Sequence, residues 1–169
     1  ALRRPDSPAR RRAAARMTAP APFALHPQLA ADTVAVADGA CCRFLLMNDA
    51  TFPWLILVPR RPHLRDFHDL AGADMAATVA EIGAASRALQ ALYAADKINV
   101  AALGNMVAQL HIHVVARRTG DAAWPKPVWG AVPAVPYGAA ALAARLAELR
   151  AALAAAGVGG PGDGGAACA

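Results

Sequence analysis

From Thr33 onward the polarity of the chain changes in short, regular blocks. Thr33–Val36 and Cys42–Met47 are apolar runs on either side of Asp38-Gly39, a dipeptide that favours a hairpin turn. Trp54–Pro59 (WLILVP) is almost continuously apolar and has proline at both ends, which predicts a third strand buried on both faces. The period then lengthens. Met75, Val79, Ile82, Leu89 and Leu92 fall mostly on one stripe of a long helix predicted over about Asp74–Ala94, with Asp74 at the N-cap. Ile98–Leu103 predicts a fourth strand, Gly104–Met106 a turn, and Ala108–Arg117 a fifth strand. Residues 119–138 are too rich in proline for a regular element. A final alanine-rich helix is predicted over Ala139–Ala156, stopped by Gly157, and Pro22–Asp32 has room for a short helical turn. Three strands, a long helix, two strands and a helix describe an α+β fold around an antiparallel sheet.

The fifth strand carries the most pointed polar pattern. With a period of two, Gln109, His111 and His113 share one face while Leu110, Ile112 and Val114 take the other. Two imidazoles and an amide are thereby set side by side in an apolar run. Four uses remain open: half-exposed residues without chemistry, two ligands of a metal site, nucleophilic catalysis, and nucleotide binding without turnover. A metal would need third and fourth ligands, and His26, His63, His68 and the acids show no ligand spacing. A neutral imidazole is a good nucleophile near pH 7, and a second one can hold phosphate oxygens or donate a proton. Gly104, just before the strand, allows a tight turn whose N–H groups can face an anion. Arg117 and Arg118, just after it, are phosphate partners in waiting. A glycine turn, two histidines and arginines are the parts that phosphoryl transfer requires.

Composition narrows this further. Six arginines precede Met17 against one Asp, so the whole net charge of +5 lies in that leader and the remainder of the chain is neutral. A nucleic-acid-binding face is therefore not expected. Residues 1–22 read as a disordered basic leader, residues 23–156 as one domain, and residues 157–169 as a disordered Gly/Ala tail. A start at Met17 is the simplest account of the leader, with a basic arm as the alternative. No run of about 18 strongly apolar residues predicts a membrane span. Cys41, Cys42 and Cys168 form neither a disulfide framework nor a C-x-x-C pattern, which suits the cytoplasm.

The segment QLHIHVVAR (Gln109–Arg117) resembles the signature of the histidine triad (HIT) superfamily, in which histidines alternate with apolar residues. NVAALGNMVAQ resembles the stretch that leads into it, and LLMNDATFPWLILVPRR resembles the family's earlier strand pair. Gln-x-His-x-His with WPKPVWG (Trp124–Gly130) is similar to a bacterial branch. The resemblance implies a five-stranded antiparallel sheet with one long and one C-terminal helix, usually a homodimer. It implies attack by His111 on the α-phosphate of a purine nucleotide, a nucleotidyl-histidine intermediate, and assistance at the phosphate by His113. No cofactor is required, and a divalent cation can accompany a polyphosphate substrate.

Two departures accompany it. The first triad histidine is Gln109, which can orient its neighbours by hydrogen bonds but cannot take up a proton. The family's Gln and Ser/Thr align with Asn105, which can hold phosphate, and Met106, which cannot. Asn48 and Asp49 match positions that hold ribose or base, although Asn-Asp is also ordinary turn chemistry. Asn99 is a candidate to orient the site from the fourth strand, or a polar strand end. Trp54, where many relatives carry histidine, reads as core, and Trp124 and Trp129 as packing anchors that could also cover the site.

Overall fold

The protein is described from a computed structural model over residues 22–159. A short helix α1 (Pro27–Asp32) leads directly into β1 (Thr33–Asp38), followed by β2 (Cys42–Met47) and β3 (Trp54–Pro59). After a 3-10 turn at Phe67–Asp69 come helix α2 (Gly72–Tyr93), β4 (Lys97–Ala101), β5 (Ile112–Arg117) and helix α3 (Ala139–Ala155). The five strands form one antiparallel sheet in the order β1-β2-β3-β5-β4. This is the α+β architecture expected, with one long helix and a C-terminal helix.

The sheet separates two apolar clusters, and strand alternation decides which residue joins which. Phe44 and Leu46, Leu55 and Leu57, and Ile112, Val114 and Ala116 pack beneath α2 and α3. Leu45, Trp54, Ile56, Val58 and Val115 face the opposite side, where α1 and the loop around Ala123–Val132 cover them. All six residues of β3 are buried, as its unbroken apolar run predicts.

Several boundaries differ from expectation. Asp38 is the last residue of β1, paired with Arg43, and the connection is Gly39–Cys41. Glycine is needed there for close approach: a Cβ on Gly39 would lie 2.4 Å from Glu81 Oε1. That buried carboxylate accepts the N–H groups of Cys41 and Cys42 at 2.9 and 2.7 Å and ties the hairpin to α2. Helix α2 starts at Gly72 with Ala71 at the N-cap, because Asp74 is drawn into a two-pronged bond with Arg61 at 2.6 and 2.8 Å. Strand β5 begins only at Ile112. Strand β4 ends at Ala101, opposite His113, so the residues before Ile112 have no β4 partner, and Leu110 N–H donates to the Leu64 carbonyl instead.

Helix α3 ends one residue early in a Schellman turn. Gly157, at φ +88°, donates to Ala154 O, and Val158 donates to Leu153 O. Val158, expected in the tail, is buried in the helix-side core. The leader through residue 21 and the tail from residue 160 lie outside the described residues. Among the described residues no helix is long and apolar enough to cross a membrane.

Candidate functional site

His111 and His113 reach the sheet face opposite α2 and α3, as their spacing predicts, and line one cavity of about 360 Å³. Leu29 and Asp32 of α1, Met47, Trp54, Ile56, the Leu103–Val107 loop and Trp129 complete most of its wall. The loop turns at Gly104, whose φ of +69° favours glycine. The two imidazoles meet edge to face with ring centroids 4.9 Å apart, and each is 7% exposed.

Each ring has one nitrogen already committed, and the partner fixes which proton it carries. His111 Nδ1 lies 2.7 Å from the main-chain oxygen of Gln109. A carbonyl only accepts, so Nδ1 bears a proton, and in the neutral ring Nε2 keeps its lone pair. His113 is the reverse case. Trp54 Nε1–H donates to His113 Nδ1 at 3.0 Å, so the proton of neutral His113 sits on Nε2. Burial, with the adjacent His111 as a smaller cause, lowers the His113 pKa to about 4. One ring therefore offers an electron pair and its neighbour an N–H.

The other candidates divide sharply. Gly104 and Asn105 line the cavity, and the Met106 side chain is 96% exposed at its edge. Gln109 does not orient through its amide, which is spent on the N-terminal segment: Oε1 accepts His26 N–H at 2.8 Å and Nε2 donates to Ala24 O at 2.9 Å. Its carbonyl holds His111 instead, a service any residue could perform. Asn48 Oδ1 accepts Tyr137 N–H, while buried Asp49 accepts the N–H groups of Thr51 and Val135. Both shape the turn and the chain around residues 135–137, and neither lines the cavity. Arg117 is 1% exposed and away from the cavity, paired with Asp121 at 2.7 and 2.9 Å and donating to Asn99 at 2.8 Å. Asn99 is thereby committed as well. Arg118 donates to the Tyr93 carbonyl at the end of α2.

The tryptophans divide as well. Trp54 is core, as expected, and also the partner of His113. Trp129 packs edge-on against His113 and Trp54, with centroids 5.3 and 5.7 Å away, and its buried indole N–H has no acceptor. Trp124 instead lies over the Arg117 guanidinium at 5.7 Å. Alternation in β3 does put Trp54 and Ile56 on one face, but only the register of β3 on β5, with Ile56 opposite His113, brings the indole to that ring. Among the described residues no group of three or more His, Cys, Asp or Glu is arranged to hold a metal ion.

The HIT domain model matches residues 28–120, a span running from α1 through the whole sheet. The chain belongs to the HIT family. Similar solved structures are a histidine triad protein from Marinobacter aquaeolei, 45% identical with a TM-score of 0.78 over 80% of this chain and 98% of that one, and a histidine triad protein from Bradyrhizobium japonicum, 43% identical with a TM-score of 0.76 over 79% and 99%. A histidine triad protein from Sinorhizobium meliloti is 39% identical with a TM-score of 0.74 over 75% and 94%. No protein of curated function matches significantly. HIT proteins generally act on nucleotides, and the cavity lined by His111, His113 and the Gly104 turn is where the two histidines of the motif meet.

Proposed function

We propose that this HIT protein is a nucleotide hydrolase or nucleotidyl transferase that cleaves at the α-phosphate of an adenosine-type nucleotide. The observation that carries the reading is the His111 tautomer: Nδ1–H is held by the Gln109 carbonyl, which leaves the Nε2 lone pair free in the cavity. Nε2 attacks the α-phosphorus and forms a P–N bond, while the bond to the leaving group breaks and its electron pair departs with that group. Positive charge arising on the ring is eased by the Nδ1–H bond to the carbonyl. Water then attacks phosphorus, the P–N bond breaks, and nucleoside monophosphate and a proton are released. An acceptor alcohol or phosphate in place of water makes the reaction a transfer.

The mainly apolar cavity suits a base and ribose, with Asn105 and the Gly104 turn toward phosphate oxygens. Phosphoanhydrides and phosphoramidates both present the required α-phosphate. The covalent step needs no cofactor, although a divalent cation suits a polyphosphate substrate. We place the protein in the cytoplasm as one domain over residues 23–156, extended by Val158. We assign it a homodimer on the open edge of β4, where Val100 is 48% exposed.

The exposed Met106 and the committed Gln109 amide favour a second reading, nucleotide binding with little turnover. One experiment separates the two. The protein and a His111→Ala variant are incubated with adenosine 5′-phosphoramidate and with a diadenosine polyphosphate, then quenched for intact mass while AMP is followed. An adenylyl adduct or AMP release that needs His111 is expected. Binding without either, in both proteins, would leave only the second reading.

A further inference from the structure

We infer that Trp54 is a positioning residue that locks His113 as a neutral Nε2–H donor, and that the site thereby selects substrates whose leaving group departs as an anion. The selectivity rests on the nucleotidyl-transfer reading, whereas the lock stands on geometry alone.

Trp54 lies on β3, two residues before the direct partner of His113, on the same face of the sheet. Its indole can only donate, so the 3.0 Å contact requires a bare Nδ1. Protonating Nδ1 would set two N–H groups against each other in a place 6 to 7% exposed. Trp129, edge-on at 5.3 Å, closes the ring in from another side and offers no acceptor. Of the groups around His113, Ile56 of β3 and Ala101 of β4 are apolar, and His111 is the titratable ring in contact. Asp32, from the end of α1, lines the same cavity and accepts a bond from Gln28. Burial works in the same direction as the lock, since it lowers the His113 pKa to about 4.

The consequence lies in the proton balance. When a phosphoanhydride is cleaved, the P–O bond breaks and oxygen leaves as a phosphate anion that needs no proton. Neutral Nε2–H can stabilise that oxygen by donating a hydrogen bond. When a phosphoramidate is cleaved, the P–N bond breaks and nitrogen must receive a proton as it leaves. An imidazolium could supply it, but a ring whose Nδ1 already accepts an indole N–H cannot become one without losing that bond. His113 therefore favours anhydrides, including mixed anhydrides, over phosphoramidates.

Two measurements test this. In two-bond 1H–15N spectra of the wild-type protein, His113 should show a bare Nδ1 and a protonated Nε2, unchanged down to pH values approaching about 4. A proton on Nδ1, or titration near the ordinary ~6.5, would overturn the lock. In parallel, kcat/KM is compared for a diadenosine polyphosphate and adenosine 5′-phosphoramidate in wild type and Trp54→Phe, whose ring keeps the packing and loses the donor. Wild type should favour the anhydride by about tenfold or more, and the preference should shrink several-fold in Trp54→Phe as phosphoramidate cleavage gains. A preference that is absent, or unchanged in the variant, would overturn the selectivity. If neither compound is turned over, the nucleotidyl-transfer reading fails and takes the selectivity with it, and the spectra still decide the lock.

Discussion

Strand β5 and the residue just before it present two polar sets, and they are finished differently. Arg117 is closed at every prong: Nε and Nη2 reach the Asp121 carboxylate, Nη1 reaches Asn99, and Trp124 lies over the plane. His111 and His113, earlier in the same stretch of chain, each have one nitrogen committed and one left over. A buried polar group is tolerated when its bonds are made, so the arginine cluster needs no ligand to explain it. The imidazole pair keeps an acceptor and a donor for something absent from the chain. Chemistry is therefore expected where bonding is incomplete, even though an arginine next to a histidine strand looks, in sequence, like the better phosphate ligand.

The largest effect that separates the two regions is catalytic. His111→Ala should lower nucleotide turnover by on the order of 10⁴-fold, as loss of a covalent nucleophile does, while changing stability by only about 1 kcal/mol. Turnover followed beside urea denaturation checks this, and retained activity would remove His111 from its role. The reverse profile is expected for Arg117→Ala. Losing the guanidinium leaves Asp121 with only the Arg118 and Ala123 N–H groups and should cost about 1–3 kcal/mol of folding free energy, with turnover per folded molecule nearly unchanged. A stable variant with poor nucleotide affinity would instead make Arg117 a ligand-binding residue.

Acid should dismantle the regions in sequence. His113 binds its proton at about 4 in the folded protein and near ~6.5 in an unfolded chain. The unfolded state thus takes up the proton first, and stability present above pH ~6.5 is lost as the pH falls toward 4. Asp121, held down to about 2 chiefly by its hydrogen bonds from Arg117, against an ordinary 3.8, keeps its contribution until lower pH and loses it between those values. Urea midpoints measured through both windows should flatten in the upper one for His113→Gln and in the lower one for Asp121→Asn. A swap of the two, or no change in either, would contradict the assigned environments.

Alternation made much of this legible. The period of two in the fifth strand sorted His111 and His113 from Ile112 and Val114 without any knowledge of register, because a strand has only two faces, and the unbroken apolar run of β3 marked it as buried on both sides. The Gly104 turn was legible for the same local reason. What escaped depends on distance along the chain. Trp54 and His113 are 59 residues apart and Gln109 and His26 are 83 apart, so the indole's partner and the amide's use follow only from the assembled sheet. Nothing local in the sequence marks Glu81, yet it is buried against the β1–β2 hairpin and accepts two main-chain N–H groups from residues some 40 positions earlier. The pairing of Arg117 was not legible because its partner, Asp121, comes from irregular chain after β5, where no periodicity signals a contact.

The smallest expected effect is the most informative about what the open site lacks. Met106 sits beside Asn105 at the cavity edge with its side chain almost wholly in solvent, where it contributes little to the core. Met106→Ser should leave the urea midpoint unchanged, since no buried apolar surface is lost. A hydroxyl there can add a hydrogen bond to a phosphate oxygen, on the order of 1 kcal/mol at such an exposed position, which corresponds to roughly a fivefold gain in kcat/KM. No comparable gain is expected in the arginine cluster, where each guanidinium nitrogen already has an acceptor. If Met106→Ser leaves kcat/KM unchanged, then Asn105 and the Gly104 turn already meet the phosphate's demand for donors.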